Sequence, residues 1–128
     1  MNEHFADDRS DQSLGMFVKY WQAGQVKTRL GKSIGAQSSA NLYREFVRCL
    51  SSRLADEGDS RVLAYWPGQR RREIQALVGS QWKLETQTGR DLGERMKSFF
   101  RRRFELGTSR ALLIGSDSPT IPMRTFGE

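Results

Sequence analysis

Cysteine and histidine are almost missing from this chain, and long apolar runs are missing altogether. One cysteine in 128 residues excludes an internal disulfide and a cysteine-built zinc site. That residue, Cys49, falls on the apolar side of a predicted helix and is expected as a small core residue. The one histidine, His4, lies in the acidic, polar stretch 1–13, read as a disordered leader, so histidine ligation of a metal and histidine general-base catalysis are not expected. No window approaches the ~20 apolar residues of a membrane span. The first residues are acidic where a secretory signal would be basic and then apolar. A cytoplasmic protein with no membrane partner is the expectation.

What is abundant is positive charge. Lysine and arginine exceed aspartate and glutamate to give a net charge of +6, which favours a polyanionic partner without distinguishing a nucleotide from a nucleic acid. The two densest runs, Arg70-Arg71-Arg72 and Arg101-Arg102-Arg103, fall in or beside segments of helical periodicity and are expected on solvated outer faces. A hydrophobic content of 37% suits a polar globular chain of one domain, 14–128, with a real core.

Periodicity orders the chain as alternating strands and helices. Residues 14–20 read as a first strand. Over 37–57, Tyr43, Phe46, Val47, Leu50 and Leu54 recur at helical spacing and stop at Gly58. Val62-Leu63-Ala64-Tyr65-Trp66 is a second strand ended by Pro67-Gly68. Residues 72–78 read as a short helix, with Ile74, Leu77 and Val78 on one side. In 81–86, Trp82 and Leu84 alternate with Lys83 and Glu85, the pattern of a half-exposed or edge strand. Asp91 and Glu94 have capping-box spacing and open a helix whose apolar face is Leu92, Met96, Phe99, Phe100 and Phe104, ending at Gly107. Ala111-Leu112-Leu113-Ile114 is a continuous apolar run, expected as a parallel strand covered on both faces. Such alternation implies a three-layer α/β sandwich with a mainly parallel sheet and ligands at the carboxyl ends of its strands.

Three loops then share one address. Gly24-Gln25-Val26-Lys27-Thr28-Arg29-Leu30 follows the first strand, and a glycine-bearing loop with two nearby cations suits a diphosphate. Its spacing is that of neither a P-loop nor a dinucleotide fingerprint, and a surface turn with solvated cations is the competing reading. Gly115-Ser116-Asp117-Ser118-Pro119-Thr120 follows the last strand, where Asp117 is placed either to hold Mg²⁺ against a diphosphate or to form a turn before Ser118-Pro119. Between them lies Gln87-Thr88-Gly89-Arg90-Asp91, which offers an amide and backbone groups to a base, or is simply a well-made helix start.

Phe17-Val18-Lys19, Gly24-x-Val26-Lys27-Thr28-Arg29-Leu30, Leu42-Tyr43-x-x-Phe46, the stretch from Gln87 to Met96 and Leu113-Ile114-Gly115-Ser116-Asp117-Ser118-Pro119-Thr120, in that order, resemble the bacterial glycosyltransferase-like proteins known as radical-SAM/selenodomain-associated transferases. The likeness runs over residues 14–122. It implies a GT-A fold of the nucleotide-diphospho-sugar transferase superfamily, of which this chain matches the N-terminal part. It also implies that Gly24, Lys27, Thr28 and Arg29 lie along the nucleotide phosphates, that Gln87, Gly89 and Asp91 lie near the base or ribose, and that Asp117 binds Mg²⁺ or Mn²⁺. The implied function is transfer of a glycosyl or nucleotidyl group from a nucleotide or nucleotide sugar to an unknown acceptor, with no residue named as the base. The chain departs from the family pattern at Trp21-Gln22-Ala23, where a proline-rich loop is usual, and at Cys49, where aspartate is usual. The family pattern also continues beyond Glu128 into an acidic, glycine- and tyrosine-rich motif. Loss of turnover and self-association through an uncovered sheet edge near Ile114, Ile121 and Phe126 are therefore expected. A small basic nucleic-acid-binding protein, with Trp21, Tyr65 and Trp66 near arginines, ranks below both readings, because no single-strand or groove-reading motif accompanies it.

Overall fold

The computed structural model describes residues 12–24, 26, 31–32 and 34–115, together with the backbone of 122–127. Its strands and helices alternate: β1 (Gln12–Lys19), α1 (Ala36–Arg53), β2 (Ser60–Trp66), a 3₁₀ turn (Gly68–Arg70), α2 (Arg71–Val78), β3 (Lys83–Thr86), α3 (Leu92–Glu105), β4 (Arg110–Gly115) and β5 (Pro122–Gly127). They form one sheet in the order β3-β2-β1-β4-β5. The first four strands are mutually parallel, and β5 runs antiparallel along β4.

Strand alternation sorts the core into two layers. Leu14, Met16 and Val18 of β1, with Leu63 and Tyr65 of β2 and Leu84 of β3, face α1 and α2 through Tyr43, Val47, Ile74 and Val78. The intervening residues Phe17, Val62, Ala64, Ala111 and Leu113 face α3 through Phe99 and Phe100. Connections that step outward from β1 to β3 thus pack on one face, and the return to β4 packs on the other. Right-handed crossovers produce that division. The fold is a mainly parallel α/β sandwich of three layers, as the alternation of elements implies. Strand β1 begins at Gln12, inside the stretch expected as leader.

The edge pattern of 81–86 is also seen. β3 ends the sheet, with Trp82 and Leu84 buried and Lys83 exposed. The Trp82 indole donates to the Ser51 carbonyl at 2.9 Å, so the residues before β3 are tied to the last turn of α1.

Four expectations are corrected. Cys49 is exposed: it lies two residues, about 200° of helical rotation, from buried Val47, and the buried positions beside it belong to Tyr43 and Ser51. On α3, Leu92 is 54% and Phe104 39% exposed. Leu92 stands in the first turn at the sheet's carboxyl end, and the stripe through Phe99 and Phe100 continues at Arg103 instead of Phe104. Arg103 is accordingly not on a solvated face. It is 3% exposed, donates to Glu85 at 2.6 Å and lies 5.0 Å from the Phe99 ring centre, while its neighbour Arg102 reaches the same carboxylate at 3.2 Å from solvent. Finally, β4 does not end the sheet. β5 pairs along it from Arg110↔Gly127 to Ile114↔Pro122, and Ile114 is buried; Ile121 lies outside the described residues.

Candidate functional site

The strand order itself creates a crevice. Chain connections leave β1 toward β2 and return from β3 to β4 on the other side of β1, so β1 and β4 flank a topological switch point, where open α/β sheets bind ligands at their carboxyl ends. Register places these ends together, since Phe17 pairs with Gly115 and β1 ends two residues on at Lys19. The segments carrying Lys27, Thr28 and Arg29 and carrying Asp117 leave from these adjacent strand ends. Those four residues lie outside the described ones. Gly24 is described: its φ is +84°, and a side chain there would meet open space, so its backbone is accessible in a conformation that favours glycine. Val26, two residues on, is buried in the α1-side core.

The loop after β3 is set by hydrogen bonds. Gln87 extends the pairing of β3 with β2, its N–H donating to the Tyr65 carbonyl at 2.9 Å. Its side-chain Nε2 donates to the carbonyls of Ala64 at 3.0 Å and Val18 at 3.3 Å, and its Oε1 accepts from Arg95 at 3.3 Å. The amide thus joins the ends of three strands. Gly89 has φ +137°, and an added Cβ would lie 2.8 Å from the Arg95 nitrogen, so only glycine lets the loop close on α3. Arg95 Nε donates to the Gly89 carbonyl at 2.9 Å. Asp91 caps α3, accepting from the Glu94 N–H at 2.8 Å. Glu94 accepts from the Arg90 N–H at 2.9 Å, and that bond, followed by one from the Arg90 side chain, holds its carboxyl below the usual glutamate range. Gln87, Gly89 and Asp91 are therefore brought together at one strand end, with Gln87 and Asp91 already engaged in building the loop.

Aromatic rings complete the carboxyl edge, and the sequence reading gave them no part in this crevice. Tyr20 and Trp66 follow or end neighbouring strands and are linked by a 2.9 Å bond from the Tyr20 N–H to the Trp66 carbonyl. The Arg70 guanidinium stacks 4.4 Å above the Tyr20 ring and the Arg95 guanidinium 4.7 Å above Trp66, each in the range of a cation–π contact. Arg70 also pairs with Glu73 at 2.9 Å. The available signal was an aromatic residue at the carboxyl end of each of two predicted strands, the second just before Pro67-Gly68.

Among the described residues no group of three or more histidines, cysteines, aspartates or glutamates is placed to hold a metal ion. The nearby carboxylates Glu85, Asp91 and Glu94 have the partners given above. A divalent ion here would depend on Asp117 and on oxygens of the ligand, a donor set that suits Mg²⁺, which binds through one or two carboxylates together with substrate phosphates. A mainly apolar hollow of about 380 Å³ lies at the opposite, amino end of the sheet, between Leu14, Leu54, Leu112 and Arg110. Among the described residues no helix is long and apolar enough to cross a membrane.

The family model described as "Uncharacterized protein conserved in bacteria (DUF2064)" matches residues 49–128. The chain belongs to this family. Among solved structures it is similar to a crystal structure from Desulfovibrio desulfuricans G20, described as a "putative nucleotide-diphospho-sugar transferase", with 38% identity and a TM-score of 0.79. The match covers 88% of this chain and 49% of that one, so the DUF2064 chain spans about half the length of that structure. A comparison with curated proteins returned no match. At this identity and TM-score, the fold is that of the nucleotide-diphospho-sugar transferase superfamily.

Proposed function

We propose that this chain forms the nucleotide-binding part of a transferase of the radical-SAM/selenodomain-associated type, acting on a nucleotide sugar or other nucleoside diphosphate donor. The observation that carries the reading is the switch point between β1 and β4, from which the cationic segment and the Asp117 segment both depart. In this reading Lys27 and Arg29, with backbone N–H groups near Gly24 and the Thr28 hydroxyl, bind the diphosphate. Asp117 would hold Mg²⁺ or Mn²⁺, which supplies charge neutralisation on the diphosphate when bound. Gln87, Gly89 and Asp91 act by shaping the loop beside the nucleoside. The cations stabilise charge that develops on the diphosphate as its bond to the transferred group breaks. The acceptor is unassigned, and no described residue is placed as its base.

Calorimetric titration with UDP, GDP and ADP tests this reading. Each charge-assisted phosphate contact contributes about 1.5–3 kcal/mol, so Lys27→Ala or Arg29→Ala weakens binding roughly ten-fold or more with little change in unfolding. Failure of the unaltered chain to bind any of the three at millimolar concentration refutes it. Equal binding of single-stranded DNA, lost steeply on adding salt, favours the nucleic-acid reading instead.

A further inference from the structure

The carboxyl end of β1 is held from three sides. The Lys19 N–H donates to the Tyr43 hydroxyl of α1 at 3.1 Å, and the Tyr20 N–H donates to the Trp66 carbonyl at the end of β2 at 2.9 Å. The third tie comes from beyond β2. Gln87, which follows β3, passes its side-chain amide across the end of β2, and Nε2 donates to the Ala64 carbonyl at 3.0 Å and to the Val18 carbonyl of β1 at 3.3 Å. β1 and β3 are not neighbours in the sheet, so this amide makes a link between them that the strand ladder does not. The chemistry of its partners leaves one residue type for the position. Two carbonyls accept and never donate, and the Arg95 guanidinium donates and never accepts. An amide with its nitrogen toward the carbonyls and its oxygen toward Arg95 Nη1, 3.3 Å away, satisfies all three. A glutamate would set a carboxylate against two carbonyl oxygens, and an apolar side chain of the same length would give them no donor. Arg95 is itself fixed by the Gly89 carbonyl at 2.9 Å and by the Trp66 ring, 4.7 Å below its guanidinium, and so selects the direction in which the Gln87 amide faces.

We propose that Gln87 and Arg95 are positioning residues for the segment that carries Lys27 and Arg29. Arg95 sets the direction of the Gln87 amide, and the amide holds β1 at Val18, one residue before Lys19 and two before Tyr20, where that segment departs. Neither side chain touches the nucleotide. The proposal rests on the nucleotide reading above and gives Gln87 a part on the diphosphate side of the site. A binding segment whose root is already fixed has less freedom to lose when its ligand arrives, and the affinity rises accordingly.

Two readouts separate this role from a plain contribution to stability. Amide hydrogen exchange, followed by NMR, compares Lys19 and Tyr20 with Met16 and Leu63, which are paired in mid-sheet and fully buried; calorimetry follows UDP, GDP and ADP, each with Mg²⁺. In Gln87→Met and Gln87→Glu, exchange at Lys19 and Tyr20 should quicken roughly ten-fold, the scale of one lost buried bond, with a smaller change at Met16 and Leu63. Nucleotide affinity should fall in the same variants at temperatures where they are folded. Arg95→Lys, which keeps a donor for the Gln87 oxygen, should stay closer to the unaltered chain than Arg95→Met in both readouts, and this pair carries the test if the Gln87 variants do not fold. Equal quickening at all four amides, or none at Lys19 and Tyr20, refutes the positioning role. Selective quickening with nucleotide affinity unchanged refutes the link to the diphosphate segment. If the unaltered chain binds none of the three nucleotides while the selective quickening is seen, the nucleotide reading falls and the anchoring of β1 by Gln87 stands.

Discussion

Replacing Gly15 with alanine puts one methyl group where the fold has no room for it. Gly15 lies mid-strand in β1, paired with Val62 on one side and Leu113 on the other. An added Cβ would come within 2.8 and 2.9 Å of Phe99 Cε2 and Cε1, and closer still to Cζ, whereas carbon atoms rest at about 3.5–4.0 Å. The ring cannot swing aside. It is 3% exposed, held edge-on by Phe17 at 5.9 Å and Phe100 at 5.5 Å between ring centres, so α3 itself has to move. Overpacking of this kind costs about 1–3 kcal/mol, against roughly 0.5–1 kcal/mol gained by removing a glycine from a strand. A net loss on the order of 1–2 kcal/mol is expected in urea unfolding. Combined with Phe99→Leu, which opens the space, the alanine should cost less than it does alone, giving a coupling of about 1 kcal/mol in a double-mutant cycle. Unchanged stability of Gly15→Ala, or strict additivity with Phe99→Leu, would refute the close contact between β1 and α3.

Three further outcomes are expected. Glu85→Ala leaves the buried Arg103 guanidinium without its carboxylate and should cost about 3 kcal/mol in chemical denaturation, whereas Arg103→Met, which substitutes an apolar chain for the charge, should cost much less. Asp117→Asn should leave stability nearly unchanged but remove most of the Mg²⁺ enhancement of nucleotide binding, and an unchanged Mg²⁺ dependence would withdraw the metal assignment. Because the folded-state pKa of Glu94 is lowered, its contribution is fully present above the usual glutamate value and is lost as pH falls through the folded one; the stability gap between the unaltered chain and Glu94→Gln should therefore close on acidification, and a gap that is constant with pH would refute it.

The strands and helices of residues 12–115 were largely legible because their signals are local. Tyr43 and Val47 repeat at helical spacing, Lys83 and Leu84 alternate, and Asp91 with Glu94 marks a helix start. The address of the site followed from the alternation of elements, since every loop after a parallel strand opens on the same edge. What was not legible depends on partners distant in sequence. Arg103 reads as one more surface arginine until Glu85, 18 residues earlier, is placed opposite it. Cys49 differs from a core residue only by its rotation around α1. The Gln87 amide looks available for a ligand until the carbonyls of Val18 and Ala64 arrive from two other strands. β5 carries no alternation strong enough to separate it from a loop, with Pro122 at its start and Gly127 at its end. Tyr20 and Trp66 become neighbours only when β1 and β2 pair in parallel and the Tyr20 N–H reaches the Trp66 carbonyl.

The proposed function requires the β1–β4 switch point to bind a nucleoside diphosphate. Its most direct test is calorimetric titration of the unaltered chain with UDP, GDP and ADP, in the presence and absence of Mg²⁺. Saturable binding of at least one of them is expected, strengthened by Mg²⁺ and weakened roughly ten-fold by Arg29→Ala; no binding at millimolar ligand, or binding indifferent to both Mg²⁺ and Arg29, would refute a diphosphate site there.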